Sequence, residues 1–381
     1  MIDPATASAV IDWSAYRHNL TVLADHVAPA TLMAVVKADG YGHGMVEAAR
    51  QARAAGVTWL GVAVAGEALT LRAQGDRGLL MCWLYGPQED FTGLVGAEVD
   101  LSVSSLAELD RIAAAARSLG RTARVHLKVD SGLSRNGCPV EQWPELCRAA
   151  AARTGEVEVV AVWTHLAAAE EPDHPSVPAQ LTTFDQAFAL AREHGLSPIR
   201  HVANSAAAMI LPQARYELVR VGIAGYGIDP GVGVADRAGI ALAPVMTLRA
   251  ALVNVKQIPA GTGVSYGHTW IAPRDTVVGL VPLGYADGIV RAAGNRASVV
   301  VNDREVPLVG RVCMDQCVVD LGPDSRDRVG DPVVMFGQQG RAVNDFAADC
   351  DTIGYEIVTR IGSRVPRVAQ VAGSVEVSRD E

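Results

Sequence analysis

The sequence predicts an α/β protein: a (β/α)8 barrel of the TIM type over residues 1–237, then a C-terminal β-rich domain over residues 238–381. Three observations predict it. Eight short apolar, β-branched runs recur in the first part of the chain, with helical patterns between them. Beyond about Ala235 helical periodicity fades, and short runs alternate with turn signals. A length of 381 residues fits two domains.

The eight runs are residues 31–36, 59–64, 79–85, 100–103, 125–129, 157–163, 199–203 and 218–223. They are predominantly apolar, as expected of parallel strands buried on both faces. Between them, "SSLAELDRIAAAARSLG" opens with a Ser105-x-x-Glu108 capping box and closes on Gly120. "PAQLTTFDQAFALAREHG" has apolar residues at helical spacing and ends on His194 and Gly195. An open doubly wound sheet would give the same local pattern; the count of eight favours the barrel. Residues 1–10 precede the first run and are left to pair with the β-domain. In the second part, "VMTLRAALVNVKQI", "DTVVGLVPLG", "ASVVVNDREVPLVGRVCMDQCVVDL" and "DPVVMFG" read as strands.

Composition excludes several classes. Lys plus Arg is 33 against 42 Asp plus Glu, a net charge of −9, which argues against nucleic acid or an anionic membrane as the main partner. No apolar stretch reaches the roughly 20 residues of a membrane helix. The first residues lack the basic-then-apolar layout of a secretory signal, and the six cysteines form no C-x-x-C pair. A reducing, cytoplasmic setting is the expectation.

In such a barrel the chemistry sits past the C-terminal ends of the strands. Lys37 and Tyr41 follow the first run. Lys128, Asp130, Ser131 and Arg135 follow the fifth, Thr164 and His165 the sixth, Asn204 and Ser205 the seventh. Gly222 and Gly225 follow the eighth, with Arg220 on the strand itself. Lys37 stands among apolar neighbours in "AVVKADGYGHG". Desolvation lowers a lysine pKa and frees the amine to attack an aldehyde. The alternative is that Lys37 snorkels to solvent. Three glycines around Tyr41 allow close backbone approach to a ligand, and the last two rim stretches lie where barrels hold phosphate. An aldehyde-reactive lysine with a phosphate cradle points to pyridoxal phosphate.

Other motifs carry less. "GVSYG" matches the serine-hydrolase G-x-S-x-G, but a turn and a strand follow it instead of the helix an elbow needs. "RVCMDQCVVD" would set Cys313, Asp315 and Cys317 on one face of a strand, half-buried or functional. His201 reads as a satisfied core histidine, and the six tryptophans as core or interface residues.

Together these stretches resemble the alanine racemase family, fold-type III pyridoxal-phosphate enzymes. "AVVKADGYGHG" is similar to its cofactor-lysine motif almost letter for letter. "KVDSGLSRNG", "WTHLA", "HVANSAA", "VRVGIAGYG", "VSYGHTW", "LGYADG", "RVCMDQ" and "RVPR" resemble further blocks in family order. The resemblance implies interconversion of L- and D-alanine by two bases, supplying D-alanine for peptidoglycan, in a homodimer with shared active sites. It implies Lys37 as covalent anchor of the cofactor and Tyr266, from the partner subunit, as second base. Arg220 would face the pyridine nitrogen, His165 the ring and Arg135 the phenolic oxygen. Tyr41, Ser205, Gly222, Ile223 and Tyr355 would gather at the phosphate, with Trp83 and Asn204 also on the cofactor. Arg135, Met314, Tyr285 and Tyr355 would meet or gate the substrate. Lys128 matches a lysine that is carbamylated in some members. Leu166 and Leu133 depart from the phenylalanine and methionine usual there, both apolar exchanges. The open alternatives are a broad-specificity racemase, a non-catalytic pyridoxal-phosphate carrier and a fold-type III decarboxylase.

Overall fold

A computed structural model describes residues 1–370; the last residues of the expected β-domain, 371–381, lie outside the described residues. The chain opens on β1 (Ala7–Ile11), and eight parallel strands follow. These are β2 (Thr31–Val35), β3 (Trp59–Val64), β4 (Leu79–Leu84), β5 (Asp100–Val103), β6 (Ala123–Lys128), β7 (Val157–Trp163), β8 (Ile199–His201) and β9 (Leu218–Val221). All eight predicted runs are strands.

Their order is β8-β7-β6-β5-β4-β3-β2-β9. Met33 of β2 pairs with Trp59 on one side and Arg220 on the other, which sets β9 beside β2 at one end of the row. Just past β8, the Ala203 carbonyl accepts the Arg220 N–H at 2.9 Å and closes the barrel. Met33, Trp59, Met81, Trp163 and Leu218 form one buried cluster inside it. Burying a side chain of this size stabilises by roughly 1.5–3 kcal/mol.

The helices between the strands lie outside. In Leu106–Leu119, Leu109, Ile112, Ala113 and Ala116 are buried, the helical spacing of an inward stripe. Ser105 caps it by accepting from Glu108 N–H at 3.2 Å. The return bond of the capping box reaches one residue further back than expected: the Glu108 carboxylate accepts from Ser104 N–H at 2.6 Å. Gly120 (φ +60°) ends the helix in the left-handed region.

After the barrel come β10 (Met246–Ala251), β11 (Asn254–Ile258), β12 (Gly263–Val264), β13 (Trp270–Ile271), β14 (Thr276–Val281), β15 (Ser298–Val301), β16 (Arg304–Val309), β17 (Cys317–Gly322), β18 (Pro332–Phe336) and β19 (Arg367–Ala369). β12 and β13 pair as a small hairpin with only a one-turn 3-10 helix, Tyr266–His268, between them, so a strand and not an α-helix follows "GVSYG". The others join β1 in a nine-stranded sheet. β1 lies antiparallel to β10 (Ala9 opposite Leu248) and parallel to β19 (Ala9 opposite Arg367). The chain thus begins in the second sheet, crosses into the barrel and returns. Among the described residues no helix is long and apolar enough to cross a membrane.

Candidate active site

The turn after β2 presents Lys37. Backbone φ is +53° at Ala38, +52° at Asp39, +61° at Gly40, +52° at Tyr41 and +81° at Gly42. A run of left-handed residues costs roughly 1–2 kcal/mol for each that carries a Cβ. Such strain persists only where the surroundings impose it. The Glu67 carboxylate does so at the start: it accepts from Ala38 N–H at 2.6 Å, Ala63 N–H at 2.8 Å and Val64 N–H at 3.2 Å. Asp39 Oδ1 accepts from Met45 N–H at 2.8 Å, and Arg367 Nε donates to the Gly42 carbonyl at 3.0 Å. A Cβ on Gly42 would lie 2.2 Å from the Val358 carbonyl oxygen. The glycines expected to make room for a ligand also build this turn and let Gly42 rest against the helix Gly354–Thr359 of the second domain.

The turn closes one wall of a cavity of about 570 Å³ at the C-terminal ends of the strands. Lys37, Tyr41, Trp83, Lys128, Arg135, His165, Asn204, Ser205, Arg220, Gly222, Ile223 and Tyr355 all line it. Its four charged side chains, Lys37, Lys128, Arg135 and Arg220, are cationic, and no carboxylate is among the lining residues. The cavity therefore favours an anionic ligand.

The same cations act on each other. Lys37 Nζ stands 5.9 Å from the Tyr41 ring centre and 6.0 Å from that of Trp83. Burial lowers its pKa, Arg135 and Arg220 add to that, and Glu67 opposes them. Lys128 Nζ lies 4.4 Å over Trp163, and burial, then Arg220 and Arg135, pull it down to about 8. His165 is held well below the usual histidine range by burial and by Arg220, so its ring is neutral.

Arg220 is buried on β9. Its Nη1 donates to His201 Nδ1 and the His201 carbonyl, both at 2.9 Å. Its Nη2 faces the Thr164 carbonyl (2.9 Å), the Val202 carbonyl (3.0 Å) and His165 Nδ1 (3.2 Å). Among the described residues Nε makes no hydrogen bond, which leaves it as the donor free for a ligand in the cavity. At the other end, Ser205 Oγ accepts from Gly222 N–H at 3.0 Å and Ala224 N–H at 3.4 Å. Asn204 caps the helix Ser205–Ile210. A Cβ on Gly222 would meet the Tyr41 hydroxyl at 2.2 Å, so only glycine leaves this cradle open. An amine of lowered pKa, a free guanidinium donor and a glycine cradle fit pyridoxal phosphate: its aldehyde, its pyridine nitrogen and its phosphate.

Three expected residues are not brought to this cavity within one chain. Tyr266, Met314 and Tyr285 lie on the second domain and are 71%, 53% and 42% exposed. The Tyr285 and Met314 loops are joined. Tyr285 N–H donates to the Cys313 carbonyl at 3.0 Å and Ala286 N–H to the Met314 carbonyl at 2.9 Å. The strand expected through "RVCMDQCVVD" begins only at Cys317. Cys313 N–H instead donates to Gln316 at 2.9 Å, folding residues 313–316 into a loop, and Asp315 pairs with Arg364 at 2.7 Å.

Sequence reasoning missed Glu67, because its role depends on a turn 29 residues away. It took His201 as a core histidine; the ring is buried but bonds Arg220. Trp163 lines the cavity and stacks on His201. His126 could have been noticed: two residues before Lys128 on β6, it shares that residue's inward face.

Fold and cavity define a barrel enzyme with a reactive lysine among cations, and comparison with known proteins narrows this. Residues 11–230 match the alanine racemase N-terminal domain and residues 245–369 the alanine racemase C-terminal domain. Alanine racemase of Frankia casuarinae is 48% identical over 365 residues, 94% of this chain and 95% of that protein. That of Streptomyces coelicolor is 49% identical over 374 residues, 95% of each chain. The crystal structure of alanine racemase from D-cycloserine-producing Streptomyces lavendulae superposes with a TM-score of 0.94 at 46% identity, covering 97% of this chain and 98% of that one. The enzyme is an amino-acid racemase, an isomerase. The chain belongs to the alanine racemase family.

Proposed function

We propose that the protein interconverts L- and D-alanine with pyridoxal phosphate, using Lys37 and Tyr266 of the partner subunit as its two bases. The observation that carries this reading is Lys37, an amine of lowered pKa, in one cavity with the free Arg220 donor and the Gly222 cradle. Bound there, pyridoxal phosphate supplies an electron sink for the charge left at Cα.

Racemisation removes a proton from one face of Cα and returns one to the other. One base is poorly placed to reach both faces; two bases on opposite faces solve this, each near hydrogen-bond distance of Cα. Lys37 serves one face, and its lowered pKa keeps more of the amine free to take the proton. Tyr266 serves the other. Its exposure on its own chain supports that assignment, because a second copy can receive it. Arg135 offers a cation for the phenolic oxygen or the substrate carboxylate, and Met314 of the partner subunit adds to the carboxylate site. Arg220 would donate to the ring nitrogen and so oppose its protonation. Tyr41 and Ser205 would hold the phosphate. Tyr355, half-buried on the wall, and the partner subunit's Tyr285 narrow the mouth, which favours alanine over larger amino acids. Lys128, beside Arg135 and Arg220, is the site for carbamylation, which would replace a cation by an anion next to them.

We assign the product to peptidoglycan synthesis in the cytoplasm; the six free cysteines fit a reducing compartment. The test mixes the purified protein and pyridoxal phosphate with L-alanine, L-serine or L-lysine and follows the D-isomer by chiral chromatography. Conversion confined largely to alanine, lost by roughly 10²–10⁴-fold in Lys37→Ala, is the expected result. Equal conversion of all three substrates would favour a broad-specificity racemase. No conversion by a protein that binds the cofactor would overturn the activity itself.

A further inference from the structure

Behind Arg220 a row of buried side chains crosses the barrel interior. His201 Nδ1 lies 2.9 Å from Arg220 Nη1, and His201 Nε2 lies 2.9 Å from His126 Nδ1. His126 Nε2 lies 3.1 Å from Asp100 Oδ2. Arg124 holds the far end, with Nε 2.8 Å from Asp100 Oδ1 and Nη2 3.1 Å from Oδ2. Asp100, His126 and His201 are each 1% exposed or less. β5, β8 and β9 supply one residue each, and β6 supplies Arg124 and His126.

The two ends fix the protons between them. Arginine can only donate, and an ionised carboxylate can only accept. His201 Nδ1 must therefore be bare, so its proton sits on Nε2. That proton needs an acceptor, so His126 Nδ1 is bare and its proton sits on Nε2, facing Asp100. A charged His126 would set an N–H against the His201 N–H. Reversing His201 would set an N–H against Arg220. Both rings are thus neutral and both carry Nε2–H. Trp163 stacks on His201 at 5.3 Å and 14°, and Trp59 meets His126 edge-on at 5.4 Å, so neither ring turns freely.

We infer that Asp100 and His126 are positioning residues for Arg220: through His201 they keep a bare nitrogen opposite Nη1, which leaves Nε alone to face the cavity. The inference rests on Arg220 meeting the pyridine nitrogen. Nη1 and Nη2 are otherwise spent on carbonyls and His165. If His201 presented N–H, Nη1 would be pushed off and the fork would lose its aim.

The decisive variant is Asp100→Asn. Arg124 would hold the amide oxygen, turning the amide N–H groups toward His126. His126 then accepts on Nε2 and carries its proton on Nδ1, and the reversal runs on to His201. ¹⁵N chemical shifts of histidine-labelled apoprotein read both rings without the cofactor. The wild type should show two neutral Nε2–H rings, and Asp100→Asn a shift toward Nδ1–H. In the cofactor-loaded variant, the visible absorption band should move and kcat fall by about tenfold or more, with a smaller change in the alanine KM. An imidazolium or Nδ1–H ring in the wild type would overturn the inference. So would reversed rings with an unmoved band and kcat, or an unaltered tautomer in the variant. Failure of the wild type to bind pyridoxal phosphate would instead count against the proposed function, since the apoprotein spectrum stands apart from it.

Discussion

His43 shows how a single side chain holds the lysine turn in place. It lies fully inside the protein, with Nδ1 3.0 Å from the Gly40 carbonyl and 2.9 Å from that of Tyr41. Among the described residues its Nε2 is buried without a partner. Burial pushes its pKa down to about 4, outweighing the bonds to Tyr41 and Gly40. The unfolded chain takes up this proton below about 6.5, the folded chain only near 4. The unfolded state therefore binds more protons in that window, and stability falls as pH drops through it. His43→Asn keeps a donor at the Nδ1 position but removes the titration. Denaturant melts at pH 7, 5.5 and 4 should show the wild type losing on the order of 3 kcal/mol more than the variant. Parallel losses would refute this. At the same scale, Lys37 was legible because a lysine in an apolar run is costly. His43 and Glu67 were not, because their roles depend on a left-handed turn that no local pattern announces.

Whole elements were more legible, for a physical reason. Parallel strands buried on both faces are mostly apolar, and all eight barrel strands were found that way, although Asp100, His126, His201 and Arg220 lie on them. The seventh ends at His201 instead of Ala203, because the Ala203 carbonyl turns to the Arg220 N–H to close the barrel. "RVCMDQ" misled because alternation alone cannot distinguish a strand from a loop whose N–H groups are bonded locally. The Lys37 turn makes its own prediction. Gly42→Ala combines a left-handed φ of +81° with a Cβ 2.2 Å from the Val358 carbonyl. It should cost about 3 kcal/mol, read as a lowered denaturant midpoint, and should reduce racemisation by loosening the turn from the second domain. A midpoint equal to that of the wild type would show that the contact gives way.

At the scale of the molecule, β1 ties the two domains together. It pairs with β10 and β19 before the chain enters the barrel, and the Lys37 turn rests on Gly354–Thr359. The cavity was legible as a rim of polar residues past strand ends. What one chain leaves open is the opposite face of Cα, since Tyr266, Met314 and Tyr285 sit exposed on the second domain. A second copy would close that gap, and subunit mixing tests this most directly. Lys37→Ala and Tyr266→Phe chains, each inactive alone, are refolded together in equal amounts. If each site takes Lys37 from one chain and Tyr266 from the other, a mixed dimer has one whole site. The mixture should then recover about a quarter of wild-type activity, since half the dimers are mixed and half their sites intact. A mixture that forms dimers and stays inactive would contradict the shared site.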